Sequence, residues 1–583
     1  QLVQDQMYAL KGRTHLVAGT DNDYDLMMGL MDAGLLAQSQ FGFGLGDTLS
    51  AAQQAALTKD MVWPEWQVVD GQKVLVPKLY VAHLDQNNDN NKGARIVGTD
   101  VAITTRELEN TGTLQASNSL VINASGKVSG GGSYSGGKAV AIVADSVDLK
   151  SASIQSGGWL SVDTANDLTL AATQIKAEGD ARLSAGGTVA LNADKHEAHL
   201  VRGNGSTKDE VRYETTNVSA GGNLTIEGTK GVVAQGSKLD AGEDFKLSST
   251  QGNVDLQAVV DSENVNIKGA RGGGLLGGLL SRLAGNTTQT EDIKGVQINA
   301  GGNAVVQANQ GNVSAQSLQM HAGEQAAIVA AGAVKLTSEQ AYSKAQTGSD
   351  VRQSLVTERS EITGDKGVMI YGQNSVQLDA ASVKATQGDV TVSSAGDVSM
   401  GFNTDTQQHN WTTSSTSGNP IKSKTTVTQH ETLDKTAQVT ELEGQNVKVL
   451  GNNVKSEGAK LDGSKLVQIE GVNNTQLYAV QEVHQVTTSS QTSSGFMGFT
   501  YSKSSSTDSS IKSEALGTQL SSYEAVQIGV GAVTDVQGAI LNAPKVNFVR
   551  SAGADTSQDG QLLLGGSTNT TQTSHTEKTT TAG

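Results

Sequence analysis

The chain of 583 residues has no cysteine, four prolines and only 4% aromatic residues. Without cysteine it can form neither disulfides nor thiolate metal sites. Scarce proline suits a chain rich in strands, because proline removes an N–H that a sheet needs. Few aromatics leave aliphatic side chains to fill the interior, which favours a narrow stack over a broad globular core.

Two further absences concern partners and membranes. No apolar run reaches the length needed to span a bilayer, and the first residues lack the basic-then-apolar layout of a signal peptide. The net charge is −17, which argues against a nucleic-acid partner, since such proteins normally present a basic face.

What the chain does contain is a repeat. Pairs of aliphatic residues, with one residue between them, recur about every 20 positions, which is typical of stacked short strands with one buried face. Between Ser119 and Leu191 there are two such series: Leu120/Ile122, Val140/Ile142 and Leu160/Val162, and Val147/Leu149, Leu168/Leu170 and Val189/Leu191. Later members are Leu224/Ile226, Phe245/Leu247, Val265/Ile267, Val368/Ile370, Val390/Val392, Val447/Val449, Val467/Ile469, Val526/Ile528 and Val546/Phe548.

Turn-forming residues separate these strands. The chain has 68 glycines, and motifs such as Ala220-Gly221-Gly222-Asn223 and Ala300-Gly301-Gly302-Asn303 precede strands at equivalent points of the repeat. An asparagine repeated at one corner predicts a ladder of side-chain amides along the stack. The pattern as a whole predicts an all-β fold, a right-handed parallel β-helix with about 20 residues in each coil.

The first part of the chain differs from the repeats. Residues 1–82 predict a small α+β spacer or cap module, with a helix over Asp21–Ala33 that ends at Gly34, a second helix opening at Ser50, and a hairpin closed by Asp70-Gly71. Residues 83–93 read as a polar linker, and the β-helix is expected over residues 94–583.

Five segments interrupt the repeat, after which it resumes in phase. They lie near residues 194–216, 269–293, 341–361, 403–441 and 478–520, and they are rich in Ser, Thr, Gln and charged residues. We interpret them as β-hairpins extruded from the coil, because the flanking strands can still meet their neighbours. The tail from Gly565 to Gly583 resembles the first arm of another hairpin.

Catalytic and metal-binding chemistry is poorly represented. A polysaccharide-active enzyme on this fold would need clustered carboxylates, whereas the acids here are scattered at turns, where aspartate usually bonds its own backbone. The nine histidines are dispersed, and no phosphate-binding loop, nucleophile elbow or zinc helix is present. We therefore predict no catalytic residue, no metal site and no cofactor.

Two apolar excursions are the candidate contact sites. Large side chains occur where a hairpin tip should be polar, which indicates either folding back onto the coil or a patch for a membrane or partner. The candidate residues are Leu275, Leu276, Leu279, Leu280, Phe496, Met497 and Phe499.

The opening segments resemble those of a known family. Gln6–Gly12, Leu30–Gly34, Leu57–Trp63 and Val74–Val81 together resemble filamentous-haemagglutinin-like exoproteins, with the greatest similarity to contact-dependent growth-inhibition effectors of the CdiA type, and the following repeats resemble their second haemagglutinin-repeat region. The resemblance implies two-partner secretion through an outer-membrane transporter and display on a Gram-negative cell.

The resemblance also implies a role. In the toxin family this region is thought to engage the outer membrane of the target cell during toxin delivery, so a non-enzymatic delivery segment is the first hypothesis. An adhesin or biofilm filament of the same architecture is the second, and a polysaccharide-active β-helix enzyme is a remote third.

Overall fold

The computed structural model describes residues 23–42, 44–49, 53, 57, 60–69, 72–80, 94–202, 205–267, 286–419, 421–496, 499–551 and 560–581. Compact packing divides the chain into two units, residues 1–94 with 196–199, and residues 95–195 with 200–583. The predicted 83–93 linker and most of the second predicted helix lie outside the described residues.

The first unit contains helix α1 (Asp23–Phe41) and an antiparallel hairpin of β1 (Met61–Val69) and β2 (Gln72–Tyr80). The sequence prediction that the helix ends at Gly34 is wrong. A Cβ at Gly34 would lie 2.5 Å from the carbonyl oxygen of Val62, so glycine is needed there for close packing against β1. The helix ends seven residues later, and Gly42, with φ of +70°, follows it.

The second unit is built from short strands that wind in coils. The coil strands are β3 (Arg95–Thr105), β4 (Leu108–Glu109), β5 (Thr113–Ala124), β6 (Lys127–Gly130), β7 (Ser133–Gly136), β8 (Ala139–Ala144), β9 (Ser146–Lys150), β10 (Ser153–Ser156), β11 (Trp159–Thr164), β12 (Leu168–Ala171), β13 (Gln174–Ala177), β14 (Ala181–Ala185), β15 (Thr188–Asn192), β18 (Asn217–Ala220), β19 (Leu224–Gly228), β20 (Gly231–Gln235), β21 (Lys238–Ala241), β22 (Phe245–Ser249), β23 (Val254–Gln257), β26 (Gln297–Ala300), β27 (Ala304–Ala308), β28 (Val313–Gln316), β29 (Gln319–Ala322), β30 (Gln325–Ala330), β31 (Ala333–Thr337), β34 (Glu361–Gly364), β35 (Gly367–Gly372), β36 (Ser375–Asp379), β37 (Ser382–Ala385), β38 (Asp389–Ser394), β41 (Glu441–Glu457), β42 (Lys460–Tyr478), β45 (Gln519–Ser522), β46 (Ala525–Val530), β47 (Val533–Gln537), β48 (Ile540–Asn542), β49 (Lys545–Arg550) and β50 (Gln561–Gly565).

The remaining strands leave the coil. They are β16 (Asp194–Val201), β17 (Thr207–Glu214), β24 (Val259–Ile267), β25 (Asn286–Lys294), β32 (Glu339–Thr347), β33 (Asp350–Glu358), β39 (Asp397–Gly418), β40 (Lys422–Val439), β43 (Val480–Phe496), β44 (Phe499–Leu516) and β51 (Thr570–Thr581). Strand β39 belongs to both groups, because its first residues pair in the coil and the rest pair outside it.

The coil strands form three parallel ladders, one on each face of the coil. Both predicted series are confirmed: Leu120, Val140 and Leu160 are in register on one face, and Val147, Leu168 and Val189 on another. These side chains are at most 2% exposed, and burying each aliphatic side chain contributes about 1.5–3 kcal/mol. At about 4.8 Å per step, about fifteen coils give a rise of about 70 Å.

One member of the predicted series is wrong. Val265 and Ile267 were expected in the coil next to Phe245 and Leu247, but they lie on the extruded strand β24, where Ile267 is 45% exposed. Phe245 pairs with Ala304 instead. The excursion therefore begins at Val259, about ten residues before the predicted start. The predicted fold class, an all-β parallel β-helix, is confirmed.

The predicted asparagine ladder takes a different form. At the corner before β14, β19, β22 and β27, aspartate and asparagine alternate from coil to coil. The Asn223 amide donates to the Asp180 carboxylate at 3.1 Å, and Asn303 donates to Asp244 at the same distance. The backbone N–H of Asp244 in turn donates to Asn223 at 3.1 Å. Alternating carboxylates with amides gives each carboxylate a donor in the next coil.

Candidate contact site at the hairpin tips

All the excursions leave the coil at one corner, between the third ladder and the first. In the intervening coils the same corner is closed by a residue with positive φ: Ser151, Ala172, Gly236, Ser317, Ala380, Gly458 and Gly538, with φ between +48° and +72°. From Ala172 onward, a corner closed by a positive-φ residue alternates with a corner that opens into an excursion. Every second coil therefore carries an excursion. The corner thus determines where the hairpins can emerge.

Buried hydroxyl groups hold the chain where it re-enters the coil. We call Thr216, Ser360, Thr440 and Thr518 the corner hydroxyls; all are 0% exposed. Thr216 donates toward the carbonyl of Asn192 at 3.1 Å, Ser360 to that of Thr337 at 2.7 Å, and Thr518 to that of Tyr478 at 2.9 Å. Each acceptor is the last residue of a strand from which the chain departs. The same carbonyls accept the backbone N–H groups of Ala172, Ser317 and Gly458, so the hydroxyl is a second donor that ties the point of re-entry to the point of departure.

The extruded strands form one antiparallel sheet, in the order β17, β24, β25, β32, β33, β39, β40, β43, β44, β51. We call it the extruded sheet. Each hairpin pairs with the next one, so the excursions support one another along the coil. Cross-strand hydroxyl pairs link its long strands, such as Thr426 with Thr492 at 3.0 Å and Thr428 with Ser490 at 3.1 Å.

Acid–histidine pairs lie at the seams between successive hairpins. His409 on β39 contacts Asp350 on β33 at 2.9 Å, His484 on β43 contacts Asp434 on β40 at 2.9 Å, and His575 on β51 contacts Asp508 on β44. The hydrogen bond and charge of Asp508 raise the pKa of His575 above its ordinary value. Trp411 stacks between His409 and His430, with ring centroids 4.3 and 4.7 Å away.

The fourth and fifth hairpins, β39–β40 and β43–β44, are much longer than the third. Strand β43 has 17 residues whereas β33 has 9. At about 3.3 Å per residue, the longer strands reach about 25 Å further from the coil.

We call the end of these two hairpins the distal tip: Asn419, Ile421–Lys424, Phe496 and Thr500–Lys503. The Asn419 side chain accepts from the N–H groups of Ile421 and Lys422 at 3.0 and 2.8 Å, which fixes the fourth turn. Phe496 lies directly opposite Lys422. Phe496, Ile421 and Tyr501 are 50%, 52% and 43% exposed, so large apolar side chains face solvent here.

Of the predicted contact residues, only the Phe496 side chain is described. The backbone of Phe499 pairs with Phe496. Met497, Leu275, Leu276, Leu279 and Leu280 lie outside the described residues. Sequence reasoning missed Ile421 and the lysines at the tip, whereas Tyr501 belongs to the apolar excursion that it singled out. The signal in the sequence was the run Asn419-Pro420-Ile421-Lys422, which has the composition of a turn. This run lies midway between two long polar stretches, which form the two arms of the hairpin.

Within the part of the chain that the structure describes, no three His, Asp or Glu side chains come together as a metal site. Within the same residues, no helix is long and apolar enough to cross a bilayer.

Comparison with known proteins agrees with this architecture. The Hemagglutinin repeat family matches residues 85–272 and 281–357. The tRNA nuclease CdiA-2 of Burkholderia pseudomallei (strain 1026b) is 24% identical over 514 residues, 85% of this chain and 15% of that protein. The 16S rRNA endonuclease CdiA of Enterobacter cloacae is 25% identical over 91% of this chain and 15% of its own length. A Hemolysin of Proteus mirabilis is 23% identical over 43% of this chain and 17% of that protein. No solved structure matches.

Residues 85–272 and 281–357 are therefore hemagglutinin repeats, and the similarity over most of the chain supports a filamentous-haemagglutinin-like protein of the CdiA type. The chain spans about 15% of the length of the CdiA relatives. Fold and similarity together support a structural segment of the toxin-delivery or adhesin kind.

Proposed function

We propose that the chain is a structural delivery segment of a secreted bacterial contact-dependent toxin, whose distal tip engages the outer membrane of a target cell. The observation that carries the proposal is the exposure of Phe496, Ile421 and Tyr501 at the end of the two long hairpins. Apolar side chains at turns that project far from the coil can reach a surface before the coil does.

The names of the relatives support the wider setting of this proposal. Two of them are nucleases of the CdiA type by name. In this proposal the chain leaves a Gram-negative cell through a two-partner-secretion transporter in the outer membrane and remains displayed at the cell surface. The parallel coil then acts as a rigid support that holds the tip away from the producing cell.

The test is binding of the labelled full chain to intact Gram-negative cells, measured by flow cytometry. The triple variant Phe496→Ser, Met497→Ser and Phe499→Ser should bind much less than the unchanged chain. Tyr523→Ser is the matched control, because Tyr523 is 81% exposed and lies on the coil. Binding that survives the triple substitution would contradict a role for the tip.

An adhesin that binds through its coil is the second candidate. Two aromatic side chains on the coil favour it, since Trp159 and Tyr523 are 51% and 81% exposed. If this role is correct, Trp159→Ser and Tyr523→Ser lower cell binding and the triple tip variant does not.

A further inference from the structure

The charge of the distal tip is opposite to that of the whole chain. The protein carries a net charge of −17, yet residues 411–428 and 487–505, which form the ends of the two long hairpins, contain no aspartate or glutamate. They contain three lysines, Lys422, Lys424 and Lys503, all on exposed positions. The tip is therefore a basic island on an acidic molecule.

The strand register places these lysines around the exposed apolar side chains. Lys422 lies opposite Phe496, and Lys424 lies opposite Ser494 two residues along, so both lysines share the face of Phe496. Lys503 lies opposite Ser493, on the other face of the sheet. Lysines thus flank the apolar side chains on both faces of the extruded sheet at its distal tip.

The surrounding residues add no net negative charge. The strand ends next to the lysines are mostly Ser and Thr, and the nearest acids on β40 and β44 lie toward the coil, at Glu431 and Asp508. On the neighbouring strand β51, Glu577 lies opposite Ser506 and is followed directly by Lys578. Lysine beside an exposed aromatic ring is the combination that suits the headgroup layer of a bilayer, where the ring enters the interface and the ammonium group meets phosphate.

We propose that the distal tip recognises an anionic lipid surface, with Lys422, Lys424 and Lys503 contacting headgroup phosphates while Phe496, Ile421 and Tyr501 enter the interfacial layer. This inference rests on the proposed function and specifies its partner. A zwitterionic surface can make the apolar contacts but does not attract the lysines. The tip therefore distinguishes anionic from zwitterionic surfaces by charge.

The test is co-sedimentation of the full chain with vesicles of phosphatidylcholine alone or mixed with phosphatidylglycerol. The chain should partition onto the mixed vesicles and be released by added salt, since surface charges are screened within about a Debye length. Each lysine near an anionic surface contributes about fivefold, so Lys422→Gln with Lys424→Gln should weaken partitioning about 25-fold to 30-fold. Inorganic phosphate at the concentration of the lipid should not release the chain.

Two controls keep the result specific. Lys127→Gln with Lys246→Gln removes two exposed lysines from the coil and should leave partitioning unchanged. Phe496→Ser should weaken binding to both kinds of vesicle. Equal partitioning of the Lys422/Lys424 variant and the unchanged chain, or an equal loss in the coil variant, would overturn the proposal.

The two proposals fail in different ways. If the tip variants lose cell binding while vesicles are not bound, the tip contacts the envelope through another partner and the lipid proposal is wrong. If the tip variants bind cells normally, the proposed function itself is wrong.

Discussion

Replacing the hydroxyl of Thr440 is the sharpest test of how the hairpins are anchored. Its Oγ1 lies 2.9 Å from the carbonyl oxygens of both Leu378 and Gly401, and the side chain is 0% exposed. Thr440→Val keeps the shape, removes this donor and leaves the buried N–H of Ala381 without the hydroxyl oxygen that accepts from it at 3.4 Å. An unsatisfied buried polar group costs about 1–3 kcal/mol.

Local opening is the appropriate measurement, because long repeat arrays do not unfold in a single two-state step. Amide hydrogen exchange at Glu441, whose N–H donates to Ala381 at 2.8 Å, and in β37 beside it reports the free energy of opening at this corner. A loss of about 1–3 kcal/mol corresponds to exchange about 5-fold to 150-fold faster.

Two comparisons separate the hydroxyl from the shape of the side chain. Thr440→Ser retains the donor and should keep most of the protection. Val296 occupies the equivalent re-entry position after the second hairpin and is itself 0% exposed, so valine fits this corner sterically. Unchanged exchange in Thr440→Val, or an equal loss in Thr440→Ser, would refute the anchoring role.

Two further predictions concern other parts of the molecule. Gly34→Ala should destabilise the first unit, because the new Cβ would lie 2.5 Å from the Val62 carbonyl oxygen. Gly29→Ala on the same helix meets nothing within 4 Å and should stabilise the unit by up to about 1 kcal/mol. Thermal melting should therefore show a lower melting temperature for Gly34→Ala and a higher one for Gly29→Ala. The pKa of His575 is raised in the folded state. Its pairing with Asp508 therefore stabilises the β44–β51 seam fully below the unfolded pKa of 6.5, and this stabilisation is lost as the pH rises through the folded pKa. Proteolysis of β51 should therefore be slower at about pH 5.5 than at about pH 8, and His575→Asn should abolish the difference; equal rates in the unchanged chain would contradict this.

The sequence predicted two of the three ladders because each contributes two aliphatic residues to every coil. The ladder of β10, β13 and β18 was missed, since these strands carry one aliphatic residue followed by a small one, as in Ile175 and Ala177. That pattern is too weak to stand out among alanine-rich and serine-rich turns.

The misplaced Val265 and Ile267 show a second limit. Coil strands and hairpin strands both alternate apolar and polar residues, so an aliphatic pair does not reveal which sheet it joins. Only the position of the corner decides, and Ala172 and Ala380 close that corner with positive φ although neither is a glycine. The candidate tip was located from its apolar residues, whereas its lysines became informative only once the register placed Lys422 opposite Phe496.

The alternation of corners follows from the dimensions of the two sheets. Neighbouring strands lie about 4.8 Å apart in both, so two coils rise by about 9.6 Å, which is the width that one hairpin of two strands occupies. A hairpin from every coil would need twice the available rise, and a hairpin from every third coil would leave a gap that no strand fills. The frequency of the excursions is thus fixed by geometry, whereas their length is not. The sheet can keep its strand order while β39–β40 and β43–β44 grow to about twice the length of β32–β33, so the reach of the tip can change without disturbing the coil that carries it.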